Sequence, residues 1–228
     1  MISGIVIALL LITGGILAVG AIQKGTQQKT IEKIESTPLG ASNAEIVYAD
    51  KDKAIIHTHV GLIVFEFSKA KISTALDLAE LEVWQQGSEA CTIFASEHGN
   101  NLYFEMSNGK LDYIYHVDKK KLVDLTAKNE YVEVTFDEGV GKLISTEGSL
   151  TLHEELFNAH VLGNETEMKK ILDSHNETLT PHSNVVKINS DIYVFLARAT
   201  PDGNDEMLKD LEIVKVSAEE IKKVAMFH

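Results

Sequence analysis

The segments IVYADKDKAIIHTHVGLIVFEFSKAKISTALDL (residues 46–78) and TIFASEHGNNLYFEMSNGKLDYIYHVDKKKLVDL (residues 92–125) decide the fold, because the second restates the first. Tyr48 aligns with Phe94, Ile55 with Leu102, Phe65 with Tyr115, and Lys71-Ile72 with Lys121-Leu122. The offset grows from 46 to 50 residues along the pair, as loop insertions would cause. Within each copy, short apolar runs alternate with turn signals, which is the pattern of β-strands. Asn108-Gly109 lies between two such runs and marks a hairpin. A period of about 40–50 residues with three or four strands per copy is that of a propeller blade or a related stacked β-repeat. A weaker echo closes the chain, where DIYVFLA (191–197) precedes LEIVKVSAEEIKKV (211–224).

The same reading predicts strands at Glu45–Ala49, Lys53–His59, Leu62–Phe67, Cys91–Ala95, Asn101–Met106 and Leu111–Val117. Further along it predicts Tyr131–Phe136, Gly141–Ser145, Val185–Ile188, Asp191–Ala197 and Leu211–Val216. Helical spacing interrupts the strands twice. Leu152, Leu156 and Phe157 predict a helix over Ser149–His160, and Met168, Ile171 and Leu172 predict another over Glu165–Ser174 with Asn164 as its N-cap. Ser217 with Glu220 has the form of a capping box, with Val216 and Ile221 as the staple, and predicts a short C-terminal helix. The expected fold is therefore mainly β, as a propeller-like or sandwich set of repeats over residues 44–228, with one or two short helices in the C-terminal half.

The motifs of residues 45–125 resemble a family. YADKDKAIIHTHVGLIVFEFSKAKISTALDL, QQGSEA, ASEHGNNLYFEM and YIYHVDKKKL are similar to propeller-like β-repeats found in clostridial membrane proteins, some tethered to membrane metallopeptidases of the β-lactam-sensor type. The resemblance implies a β-repeat body, extracytoplasmic, in a sensory or binding role. Its motifs are structural, and the multi-helix peptidase portion is missing, so no proteolytic activity carries over.

Ahead of this body stands a segment of another kind. From Ile2 to Gln23 there is no charge, and Ile5–Ile22 (IVIALLLITGGILAVGAI) is almost wholly apolar. Eighteen helical residues span about 27 Å, close to the hydrocarbon thickness of a bilayer. Residues 1–23 therefore read as a single membrane-spanning helix, with Ile5, Ala8, Leu11, Gly14 and Ala18 among its packing positions. No basic residue precedes the run, as a cleavable secretory signal would require. The missing basic start also suits a helix whose leader has been removed, and MISGIVIALLL with QQK at 27–29 loosely resembles the core helix of type IV pilins and their archaeal relatives. Small-residue pairs such as Gly4/Ala8 and Gly14/Ala18 permit close packing between copies. Bacterial pilins usually carry a glutamate at the fifth mature position, where this chain has Ile5. Residues 24–43 (KGTQQKTIEKIESTPLGASN) read as a polar stalk, helical to about Ser36 and stopped by Pro38 and Gly40. The partners expected at this end are the lipid bilayer or, in a filament, neighbouring copies. Lys24, Lys29 and Lys33 favour a cytoplasmic body by the positive-inside rule, whereas the resemblance favours an extracytoplasmic one, which is the reading adopted.

The chemistry that can be searched for is sparse. The net charge of −13 lies wholly beyond Gln23, and nucleic-acid binding is set aside because it needs clustered cations. Lys119–Lys121, between Asp118 and Asp124, reads as a solvated turn. Cys91 is the only cysteine, so no intrachain disulfide forms, and its place in a strand suits a small buried hydrophobe. His57 and His59 share one strand face at a spacing seen in zinc sites, but no motif supplies a third ligand nearby. HEELF at 153–157 lacks the second histidine of a zincin helix. Ser68 and Lys71 have SxxK spacing without the partner motifs of penicillin-recognising enzymes. The clusters DKD (50–52) and DGND (202–205) read as solvated turns before calcium loops. No phosphate-binding, dinucleotide or nucleophile-elbow motif occurs. The expectation is a non-catalytic domain without cofactor, binding an unidentified protein or small ligand, with the filament subunit as the alternative.

Overall fold

The computed structural model describes residues 27–34, 36, 44–58, 61–78, 91–106, 111–125, 132–137, 140–145, 155–157, 164–198 and 211–227. Among these described residues three antiparallel sheets dominate, accompanied by two helices. Sheet 1 is a meander of β1 (Glu45–Ala49), β2 (Lys53–His57), β3 (Gly61–Glu66) and β4 (Lys71–Asp77). Sheet 2 repeats that meander with β5 (Cys91–Ser96), β6 (Asn101–Met106), β7 (Leu111–His116) and β8 (Lys121–Asp124). Onto the β5 edge it adds β11 (Glu155–Phe157), β10 (Val140–Ser145) and β9 (Val132–Asp137), which makes seven strands. Sheet 3 is β12 (Val186–Asn189), β13 (Ile192–Arg198), β14 (Leu211–Val216) and β15 (Ile221–Phe227). Helix α1 covers residues 27–34 and α2 is Glu165–Ser174.

The internal repeat is visible in matched hydrogen bonds. Phe67 N–H donates to Asp52 O at 2.9 Å, and fifty residues on Val117 N–H donates to Asn100 O at 2.9 Å. Each bond ties the end of a third strand to the turn between the first two. The next turns also match: Ala70 has φ +48° and Lys120 φ +52°, with N–H bonds back to Phe67 O and Val117 O. A non-glycine residue in the left-handed region twice at one repeat position shows that turn geometry, as well as hydrophobic pattern, recurs.

Packing layers the sheets. One face of sheet 1 (Ile46, Ile56, Ile63, Phe65) joins Val194, Leu196 and Ile213 of sheet 3 in a single core. Its other face (Tyr48, Ile55, Leu62, Val64) joins Ile93, Leu102, Phe104 and Tyr115 of sheet 2. Sheet 1 is thus buried on both sides, which explains why its strands read as runs such as GLIVF rather than strict alternation. A bulge between Ile46 and Tyr48 lets Val47 and Tyr48 share one face. On the far side of sheet 3, Met168 and Leu172 of α2 pack on Tyr193, Phe195 and Val214.

Helix α1 lies on the body. Ile34 is buried in the core between sheets 1 and 3, and Ile31 packs beside it. Gln27 Oε1 accepts the Ala75 N–H at 3.1 Å, and Lys33 pairs with Asp77. The helical part of the polar segment 24–43 is therefore bonded to β4.

Several expectations need correction. Residues 155–157, placed by spacing in a helix, form β11 instead, because the open edge of β5 offers Ala95 and Ser96 as backbone partners. Tertiary pairing overrides local periodicity there. The pattern at Ser217–Glu220 caps no helix. Ser217 N–H donates to Glu220 O, the Glu219 and Glu220 N–H groups donate to Ser217 Oγ, and the chain runs on as β15. A hydroxyl satisfies a turn as well as a helix start, and pairing with β14 decides between them. Strands β4 and β8, absent from the expected set, are edge strands that begin with lysine. Asn164 stands at the N-cap of α2 without a side-chain cap bond, and its Nδ2 donates to Val185 O at 3.3 Å.

Among the described residues no helix is long and apolar enough to cross a membrane. Residues 1–23, with Ile5, Ala8, Leu11, Gly14 and Ala18, lie outside the described residues.

Candidate functional site

The first and third turns of the meanders gather at one end of the molecule, and side chains stitch those turns together. Asp50 Oδ1 accepts N–H bonds from Asp52 (2.7 Å) and Lys53 (2.8 Å), which closes the β1–β2 turn. Its Oδ2 accepts the Tyr48 hydroxyl at 3.1 Å. Lys53 Nζ then crosses to sheet 2 and donates to Gly99 O (3.1 Å) and Asn100 Oδ1 (3.2 Å) in the β5–β6 turn. Gly99 has φ +59°, and a Cβ there would sit 2.5 Å from the Tyr48 ring, so the contact between turn and ring requires glycine. Ser96 Oγ, buried, accepts the N–H groups of Asn100 and Asn101 and holds that turn in shape.

Sheet 3 reaches the same end. Lys215 Nζ lies 3.7 Å from the centroid of the Phe67 ring. Burial lowers the Lys215 pKa and Lys222 adds to that, while Asp50 and Asp52 oppose it. Burial, reinforced by Asp50, raises the Tyr48 phenol far above its ordinary range, so it serves as a neutral donor. The β7–β8 turn also joins in, since Lys120 Nζ donates to Ser73 O of β4 at 3.0 Å.

This end is rich in lysine for a chain of net charge −13. Lys69, Lys71, Lys119, Lys120 and Lys121 are all exposed and come from two matched turns. Lys69 pairs with Glu66, whose carboxyl that contact holds below its usual value. Lys120 is engaged by Ser73. The sequence carried this cluster in the match between Lys71-Ile72 and Lys121-Leu122. What hid it was that each run, taken singly, reads as an ordinary solvated turn.

The residues singled out from the sequence fall as follows. His57 ends β2, half-buried, opposite Glu45 and Leu62, and His59 lies outside the described residues. Among the described residues no group of three or more His, Cys, Asp or Glu is placed to hold a metal ion. Ser68 and Lys71 sit in and just after the exposed β3–β4 turn. The matched β7–β8 turn begins with Asp118 where this one has Ser68, so hairpin geometry accounts for the spacing. Cys91 opens β5, half-buried, and burial, with Glu105 and Asp112 nearby, pushes its thiol up to about 12, the opposite of an activated nucleophile. Both oxygens of Asp50 are used in turn and phenol bonds. The DGND run and His153 lie outside the described residues.

Sequence reasoning missed Asn184. Its Oδ1 accepts the Ile46 N–H and its Nδ2 donates to Ile46 O, both at 2.9 Å, so one amide side chain occupies the free edge of β1 as a strand would. It also missed Lys215 over Phe67. Neither pair has a local signature, because each joins residues that only the packed sheets bring together.

No family model matches the chain, and no curated protein matches it. Among solved structures the chain is similar to the crystal structure of the N-terminal domain of Nup159, with 12% identity, a TM-score of 0.25, and coverage of 80% of this chain and 46% of that one. This chain therefore spans less than half of that structure, and a likeness of this size carries no conclusion about fold or function.

Proposed function

We propose that this chain is a membrane-anchored, non-catalytic β-repeat domain, propeller-like in its sheets, whose contact surface is the stitched turn end. The observation that carries the reading is the bonding of α1 to β4 through Gln27 and Lys33, immediately after the apolar segment. An apolar span leading into a docked helix couples anchor and body as one piece, which a loose tether would not do. The nature of the turn end supports a binding role over catalysis. Asp50, Lys53, Ser96 and Tyr48 are committed to holding its turns, and the Cys91 thiol, at the opposite end of β5, is kept protonated.

Alkaline carbonate extraction of membranes from cells expressing the full chain tests this proposal. The full chain is expected to stay with the pelleted membrane, and a variant lacking residues 1–23 to appear in the supernatant. A full chain released by carbonate would overturn the anchor, and filaments of this chain in electron micrographs would overturn it in favour of a structural subunit.

A further inference from the structure

We infer that the lysine-bearing β3–β4 and β7–β8 turns lie against the headgroups of an anionic bilayer, so that the body is seated on the membrane rather than held away from it. This rests on the anchored reading proposed above and names what the turn end contacts. Two independent features lead to it. The first is direction. Gln27 of α1 meets Ala75, and Lys33, six residues on, meets Asp77, two residues further from the β3–β4 turn. Helix α1 therefore runs in the same sense as β4, and the chain reaches it from the side of that turn. The N-terminal side of residue 27 thus faces the lysine-bearing end, which is where a membrane anchor ahead of it would join the body.

The second feature is charge. Lys69, Lys71, Lys119 and Lys121 are exposed on two turns that the Lys120–Ser73 bond holds side by side. Glu66 and Asp118 stand among them, and Asp124 lies at the far end of β8. Asp50, Asp52, Glu97, Glu219 and Glu220 lie in the neighbouring turns of the same end, alongside Lys51, Lys53, Lys215 and Lys222. The cluster is locally positive in a chain that is otherwise strongly acidic. Lysines near an anionic surface are attracted within about a Debye length, whereas the acidic remainder of the body is repelled, and both effects orient the domain the same way. An anionic bilayer satisfies both features, because an anchor that joins the body at this end would bring the headgroups to it. A soluble polyanion would match the charge but not the direction.

The test is hydrogen exchange on the full chain in nanodiscs of phosphatidylcholine alone or with 30% phosphatidylglycerol. Amides of residues 67–71 and 117–121 are expected to exchange about tenfold more slowly in the anionic discs. That protection should vanish at 0.5 M salt, where the Debye length is about 4 Å. It should also vanish in the quadruple variant Lys69→Gln, Lys71→Gln, Lys119→Gln, Lys121→Gln, which leaves Lys120 and its bond in place. Strand β6 serves as the internal control for folding. Equal exchange in the two discs, with the chain inserted in both, overturns this inference and leaves the anchor standing. A chain that fails to enter either disc overturns both. Protection of the same turns by millimolar glycerol phosphate in neutral discs would identify a soluble phosphate site and overturn the membrane seat.

Discussion

The two repeats are alike at their turns and unlike at their inner edges. Sheets 1 and 2 share the left-handed residue at Ala70 and Lys120, and share the bond from the third strand back to the first turn. Their first strands, β1 and β5, hold the same place in each meander, yet the free edge of β1 is met by the amide of Asn184 and that of β5 by strand β11. An unpaired strand edge invites further pairing and must be covered somehow. In the first repeat a single side chain does this, so sheet 1 stays four strands wide and fits between its neighbours. In the second the cover is a strand, and the sheet widens to seven. Repeating a supersecondary unit therefore reproduces its turns, while the packing context of each copy determines what closes its edge.

The largest contrast should come from burial. Ile63 in β3 is wholly inaccessible, whereas its repeat partner Tyr113 in β7 is half-buried. Ile63→Ala is expected to cost about 2–5 kcal/mol, and Tyr113→Ala roughly half as much or less, in paired denaturant unfolding curves. Equal costs would mean that sheet 1 is not the middle layer.

A smaller effect isolates the edges. Asn184→Ala strips the Ile46 N–H and C=O of their partner and should cost about 2 kcal/mol. Exchange of the Ile46 amide should accelerate, while the amides where β5 meets β11 keep their protection. If both edges loosen together, the two closures are coupled.

The smallest effect compares Tyr115 with Phe65, its partner in the first repeat. The Tyr115 hydroxyl is buried and meets no hydrogen-bond partner among the described residues. Tyr115→Phe should stabilise the chain by about 1 kcal/mol. Burial raises the Tyr115 phenol from 10.0 to about 12. The folded state thus holds the proton more tightly than the unfolded state. The stability this contributes is fully present below pH 10 and is lost as pH rises toward 12. Unfolding curves between pH 10 and 12 should fall less steeply for the Phe variant.

The repeat, most strand positions and helix α2 were legible in the sequence because they rest on local information: alternation, turn residues and helical spacing. Asn101–Met106, Leu211–Val216 and Glu165–Ser174 have the same bounds in both readings. What was not legible depends on distant partners. Residues 155–157 became a strand because β5 offered an edge, and Ser217 marked a turn because β14 offered a register. The lysine cluster was half legible, since the repeat aligned Lys71 with Lys121, but only Lys120 reaching Ser73 shows that the two turns stand together.

The Asn184 clamp also has a consequence in time. It joins residues 138 apart in the chain. At about 5–20 residues per second, a ribosome takes roughly 7–28 s to travel from Ile46 to Asn184. For that interval the first repeat exists without the group that seals it. The earliest-made sheet thus has its edge closed after that of the second repeat, whose cover at residues 155–157 is made first, and the newborn domain spends those seconds with the β1 edge open to whatever else is nearby.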